Sequence, residues 1–473
     1  MRAVRSRARA SGPPGRAWRW GAAGLLVAGC GGEVAHRSSE RAPAAPPATA
    51  PRADASAATP APERSPADRA SAAVEAALGR LAGLRGLAAR EPVRVRAVTR
   101  AELLAIVQRA VREDVPADVV RAQQELLVAL GVVPSDFDLV RALLELLGSE
   151  LAGLYEPKER TMYLADDLSE RDAHATLSHE LVHALQDQHF GLGDRVRYRA
   201  GEGDRIAAVH ALAEGDATSA MIDDSLGRPA TELPDETLRL QVGGALELGG
   251  ASERVPRILR RSLLAPYIEG TIFVHWARRT GGWAAVDAAW SRPPESTEQL
   301  LHPARYLAKD APVPVPAPPP PAGMVALGAA DVMGELSLRL VLDEWMPARA
   351  ASDAAEGWAG DTTVTFTQGA RVAVAWRIRM ETPRDAQELL VGLARGVLRQ
   401  RASAQDVDLG EAERRTQGGS ACELHETGPM AVARAGLGVV LVSGPYVRAA
   451  HQVSGGGSCA EALVWAKASV RQR

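Results

Sequence analysis

Within Ser178–Phe190, SHELVHALQDQHF, three histidines and a glutamate fall at spacings that suit a metal ion. His179 and His183 stand four apart, with Glu180 directly after the first, in the pattern His-Glu-x-x-His. Residues four apart share one face of a helix. Stepping about 100° per residue puts His179, His183, Glu180, Thr176 and Asp187 on one face. Leu177, Leu181, Ala184 and Leu185 fall on the opposite face. One face packs. The other offers two imidazoles as ligands and a carboxylate that can take a proton from a metal-bound water. A chance match in a chain of this length has a probability of roughly 1%. Structural zinc sites close with four protein ligands, usually including Cys, and no Cys lies near this motif. The pattern therefore predicts a catalytic Zn2+ with three protein ligands and one open position.

The third ligand has several candidates. His189 follows His183 at the spacing of the long metzincin motif, but Gln186 stands where that motif has the Gly that turns the chain. If the helix continues, His189 sits about 240° around from His183 and points away. A second helical pattern, IAAVHALAEGDATSAMIDD (Ile206–Asp224), carries Glu214 on a stripe with Ala207, Ala211, Ala217, Thr218 and Met221. Small residues let another helix come close, and a carboxylate there is costly to bury unless it meets a cation. Glu214 is the expected third ligand. His210, one turn earlier, is a rival ligand or a partner of the site. Asp216 points the opposite way on an ideal helix. Asp187 and Thr176 are placed to orient a ligating imidazole, and His174 falls on the packing side.

These residues need helices to hold them. Thr99 before Glu102 and Ser169 before Asp172 are helix-start signals, the second opening the motif helix. Val93–Thr99 alternates like a strand, and Gly153–Ala165 reads as two short strands around a turn. Residues 117–130 and 136–148 read as helices. Residues 69–310 form one helix-rich expected domain, and 311–322, APVPVPAPPPPA, a Pro-rich linker. Residues 323–473 follow as a small α+β domain, with strands either side of Gln368-Gly369 and a helix over Arg384–Gln400. The fold class is α+β.

The N-terminal part speaks to location. Residues 1–29 carry six Arg and no acid, ending in an apolar run before Cys30. That run is too short to span a bilayer. Val27-Ala28-Gly29-Cys30 resembles the lipobox of bacterial lipoproteins, which implies a signal peptide over 1–29 and lipidation of Cys30. Residues 30–68, rich in Ala and Pro, are an expected disordered tether. The expected location is the cell envelope, extracytoplasmic and held to the membrane by an N-terminal lipid; Gly31 in place of Asp favours the outer membrane. Cys422 and Cys459 remain as an even pair, suited to a disulfide. Without residues 1–29 the chain has 49 basic and 58 acidic residues, a net charge of −9, so no nucleic-acid partner is expected.

HELVHALQDQHFGL followed by ALAEGDAT resembles the gluzincin, thermolysin-like group of His-Glu-x-x-His zinc metallopeptidases. With STEQLLHPARY (Ser296–Tyr306), it resembles more narrowly a set of exported bacterial proteins with HALQDQHF, EGDA and STEQxLHP segments. The likeness spans roughly Gly153–Tyr306. It implies a zincin-like fold, His179, His183 and Glu214 as zinc ligands and Glu180 as the catalytic base, and it implies little about the substrate; the expected partner is a peptide or protein substrate. Zincins often stabilise the tetrahedral intermediate with a downstream Tyr or His. His302, Tyr267 and Tyr306 are the candidates, and TMYLA (Thr161–Ala165) is a candidate edge strand for an extended peptide. A non-catalytic cell-envelope scaffold and a zinc hydrolase of a non-peptide amide are the alternatives; the complete motif with Glu180 argues against the scaffold.

Overall fold

The computed structural model describes residues 66–247, 255–399, 408–449 and 452–471. The signal peptide, Cys30 and nearly all of the tether lie outside the described residues. The first half runs α1 (Pro66–Arg85), β1 (Arg94–Val98), α2 (Arg100–Asp114), α3 (Ala117–Ala129), α4 (Leu139–Glu150), β2 (Gly153–Glu156), β3 (Thr161–Ala165) and α5 (Glu170–Phe190). It continues with α6 (Leu192–Arg195), α7 (Gly203–Leu226), α8 (Asp235–Glu247), α9 (Arg257–Ser291), α10 (Thr297–Leu301) and α11 (Pro303–Ala308). The second half is β4 (Val325–Ala326), α12 (Gly334–Asp343), α13 (Ala348–Ala355), β5 (Trp358–Gln368), β6 (Arg371–Met380), α14 (Pro383–Leu398) and α15 (Leu409–Arg415). It ends with β7 (Ser420–His425), β8 (Gly428–Ala435), β9 (Gly438–Ala449), β10 (Gln452–Gly455) and α16 (Cys459–Arg471). The chain is mixed α+β. Among the described residues no helix is long and apolar enough to cross a membrane.

Both helix-start signals are used. Thr99 and Glu102 form a reciprocal capping box on α2, and Ser169 accepts from the Asp172 N–H on α5. Helix α5 runs straight through Gln186 and stops at Gly191, whose φ of 67° is the left-handed cap that glycine adopts without steric cost. Its apolar face, Leu181, Val182, Ala184 and Leu185, packs with Leu78 and Leu81 of α1, Tyr155 and Met162 of the small sheet, and Ala217 and Ala220 of α7.

The small sheet has the order β1-β3-β2, with β1 parallel and β2 antiparallel to β3. Thr161–Ala165 is thus the middle strand, not an edge. Its ladder positions are taken on both sides, so it cannot add a substrate strand.

Helix α7 is buried almost without break from Gly203 to Ala220. Its close neighbour is α9. A Cβ on Gly215 would lie 2.1 Å from the Gly270 carbonyl group, and one on Gly270 would lie 1.8 Å from the Ala211 oxygen. The small-residue stripe around Glu214 therefore serves this crossing, one residue from the carboxylate.

In the second half, β4-β5-β6-β9-β8-β7 form one sheet, with β10 also paired to β9. Alternate residues of β6 face opposite sides, as a period of two requires. Val372, Val374, Trp376 and Ile378 pack with Leu389, Leu390 and Leu393 of α14. Ala373 and Ala375 pack with Ala462 and Ala466 of α16. The first of these cores also contains Leu126–Leu130 of α3 and Ile258, Leu259 and Leu263 of α9. Elements from both sides of the Pro-rich stretch share it. That stretch carries no helix or strand and is tied to the sheet and to α16: Val313 N–H donates to Ala359 O of β5 at 2.7 Å, and Trp465 Nε1–H of α16 to Pro319 O at 2.9 Å.

Candidate metal centre

Helices α5 and α7 bring His179, His183 and Glu214 together, all of them buried. The Nε2 atoms of His179 and His183 are 3.0 Å apart. Glu214 Oε2 lies 3.1 Å from His179 Nε2 and 3.4 Å from His183 Nε2. Ligand atoms about 2.0–2.1 Å from a tetrahedral ion stand about 3.3 Å from one another. The three donors thus already have the mutual spacing of one face of such a tetrahedron, and this group can hold a metal ion. The electrostatics agree. Burial opposes the charge on Glu214, but His183, His179 and His210 outweigh it and hold the carboxyl well below its ordinary range.

The surroundings fix each ligand. His183 Nδ1–H donates to Gln186 Oε1 at 2.8 Å, which turns Nε2 toward the centre as the nitrogen available to a metal ion. The Gln186 amide in turn donates to the carbonyl of Ala213, the neighbour of Glu214, at 3.0 Å. Gln186 therefore couples the motif helix to the helix bearing the third ligand. His210 Nε2 lies 3.0 Å from the other oxygen of Glu214, Oε1. Tyr267 of α9 lays its ring along that of His179, with centroids 5.9 Å apart.

Glu180 is 1% exposed. The backbone N–H of Tyr155, on β2, donates to its Oε2 at 2.7 Å. The other oxygen, Oε1, is buried with no protein hydrogen bond. Burial pushes its carboxyl up to about 7, with His183 pulling the other way. One oxygen is anchored and one is free to meet a proton donor.

Residues 324–454 match a domain of unknown function, DUF8575. Among curated proteins none matches the chain. A solved structure from Chloroflexus aurantiacus, described as "a putative hydrolase with a novel fold", is 17% identical, and the alignment covers 52% of this chain and 92% of that one. Its TM-score is 0.29, too low to carry an argument about fold or activity.

Other sequence-derived site residues lie elsewhere. His302 pairs with Glu335 of α12 at 2.8 Å. It follows α10, whose Thr297 is bonded to Asp204 at the start of α7. Asp204 precedes Glu214 by about 15 Å of helix, so His302 belongs to a different cluster from the metal group. Tyr306 donates to Arg292 O at 2.9 Å and packs against Phe273. Asp187 accepts from Gly193 N–H at 3.1 Å, closing the turn after α5 instead of orienting an imidazole. Thr176 is buried against Gly153, with its hydroxyl unbonded in the protein. His189 Nε2 reaches the Ala88 carbonyl at 2.7 Å, away from the centre.

Asp216 does face away from Glu214. It receives Arg85 Nε at 2.6 Å and Trp290 Nε1 at 2.8 Å in a fully buried pair that pins α1 to α7. Cys422 and Cys459 are disulfide-bonded, joining β7 to α16. The sequence reading missed Gln186 and the Tyr155 N–H. Gln186 is three residues after His183, a spacing that brings side chains together on a helix, and that was its available signal.

Proposed function

We propose that this chain is a zinc-dependent metallopeptidase of the gluzincin type, hydrolysing peptide bonds with Glu180 as general base. The observation that supports the reading best is the convergence of His179 and His183 from α5 with Glu214 from α7 at tetrahedral spacing, with Glu180 next to His179 on α5. Two imidazoles and one carboxylate are a donor set that suits zinc and leaves one position open. When bound, the ion supplies a water of lowered pKa and polarises the scissile carbonyl.

The remaining work falls to the protein. Gln186 and Glu214 hold the imidazoles in place. Glu180 takes the proton of the attacking water on Oε1 and later delivers it to the leaving amine, while the Tyr155 N–H holds Oε2 still. Burial, which raises the Glu180 carboxyl pKa, suits it to both transfers. Tyr267, lying along His179, is the group proposed to donate to the developing oxyanion. His302 has no part in this account.

The proposed location is extracytoplasmic, anchored through a lipid on Cys30. The Cys422–Cys459 disulfide supports a compartment outside the reducing cytosol.

The test is cleavage of casein and a peptide library by the zinc-loaded mature chain beside Glu180→Gln. The expected result is cleavage that the variant loses by at least about 100-fold, as removal of a general base implies. Equal activity in both proteins would overturn the assignment.

A further inference from the structure

Glu214 has two oxygens, and the protein treats them differently. Oε2 faces His179 and His183 at 3.1 and 3.4 Å. Oε1 faces His210 Nε2 at 3.0 Å. His210 is 4% exposed and stands one turn before Glu214 on the same helix, so its ring lies over the carboxylate by backbone geometry alone. Its other nitrogen, Nδ1, is buried without a hydrogen bond in the protein. Glu214 Oε1 is likewise buried without a hydrogen bond in the protein, and Nε2 is the ring nitrogen of His210 that faces it.

A buried carboxylate offered a divalent cation can bind through one oxygen or both. Binding through both fills a further coordination position beside the two imidazoles. In a centre with three protein ligands, that position is the one a substrate carbonyl needs. A proton donated by His210 Nε2, 3.0 Å away, would occupy Oε1 and fix the rotation of the carboxylate. We propose that His210 is a positioning residue that restricts Glu214 to one-oxygen coordination and so keeps a ligand position open. The inference rests on the metal reading above and goes beyond it, since nothing in the His-Glu-x-x-His motif requires a donor on the third ligand.

The test uses the folded full chain loaded with Zn2+ or Co2+. His210→Phe removes the donor and keeps the ring volume; His210→Gln keeps an N–H donor. Chelator competition should show zinc affinity reduced roughly 10–100-fold in His210→Phe, the usual effect of losing such an outer partner. Affinity should be close to wild type in His210→Gln. The visible absorption of the Co2+ form should fall several-fold in His210→Phe, as the centre gains a ligand, and be retained in His210→Gln. His210→Phe indistinguishable from wild type in both readouts would overturn the proposal, as would His210→Gln falling as far as His210→Phe. X-ray absorption on the zinc-loaded wild type needs no variant: one carboxylate oxygen is expected, and two at bonding distance would contradict the role given to His210. A wild-type chain that binds neither ion overturns the metal reading itself. A chain that binds zinc normally yet ignores the loss of His210 overturns this inference alone.

Discussion

The side-chain oxygen of Gln186 lies 2.8 Å from Nδ1 of His183, and the amide of Gln186 is anchored on the carbonyl beside Glu214. A single neutral side chain thus sets the tautomer of one ligand and the distance to the helix of another. Gln186→Leu should weaken zinc binding roughly 10–100-fold. Gln186→Glu, which keeps the acceptor, should recover most of that loss. Competition against a chromophoric chelator measures both, and equal affinities in all three proteins would remove Gln186 from the site.

Helix α9 can approach α7 only because both residues at the crossing lack a side chain. Gly270→Ala would place its Cβ 1.8 Å from the Ala211 oxygen, a backbone atom that cannot rotate aside. The helices must then separate, at a cost of about 3 kcal/mol or more. Because Tyr267 and Glu214 flank the crossing, zinc affinity should fall together with the urea midpoint. An unchanged midpoint would mean that the crossing is looser than described.

The disulfide closes a loop of 37 residues between Cys422 and Cys459. Chain-entropy arguments give such a loop about 4 kcal/mol of stabilisation. The double variant Cys422→Ser, Cys459→Ser should lose stability of that order in equilibrium urea unfolding. Zinc binding should survive, since neither cysteine touches the metal group.

His302 and Glu335 give a pH dependence away from the centre. The hydrogen bond to Glu335 raises the His302 pKa above its ordinary 6.5. A raised folded-state pKa contributes stability in full below the unfolded value and loses it as pH rises through the folded one. Burial also pushes the Glu335 carboxyl up, which acts in the same direction from its unfolded value of 4.5 upward. The Tm of the wild type should fall between about pH 5 and 8 by more than that of Glu335→Gln. Parallel curves would show that the pair carries no such linkage.

The two local signals, the face shared by His179 and His183 and the caps at Thr99 and Ser169, were legible because each depends on neighbours within one or two turns. Glu214 was legible for a different reason: an acid on a stripe of small residues has to meet a cation. The partner of that stripe was not legible. Gly270 lies 55 residues beyond Gly215, and nothing local announces the crossing. His302 drew attention through its segment, but its partner Glu335 lies beyond the Pro-rich stretch. The middle position of β3 follows from parallel pairing with β1, whose first residue, Arg94, stands opposite Thr161 across α2, α3, α4 and β2. No alternation within TMYLA encodes that. Asp216 shows the wheel working in the negative: it places the carboxylate away from Glu214, and the buried Arg85 that donates to it came only with the fold.

The central claim is that three residues on two helices hold one metal ion. Metal content of purified chains measures this most directly, with wild type, Glu214→Ala and His189→Ala prepared alike. The account predicts one zinc per chain in the wild type and in His189→Ala, and loss of it in Glu214→Ala. Zinc retained without Glu214 and lost without His189 would contradict it.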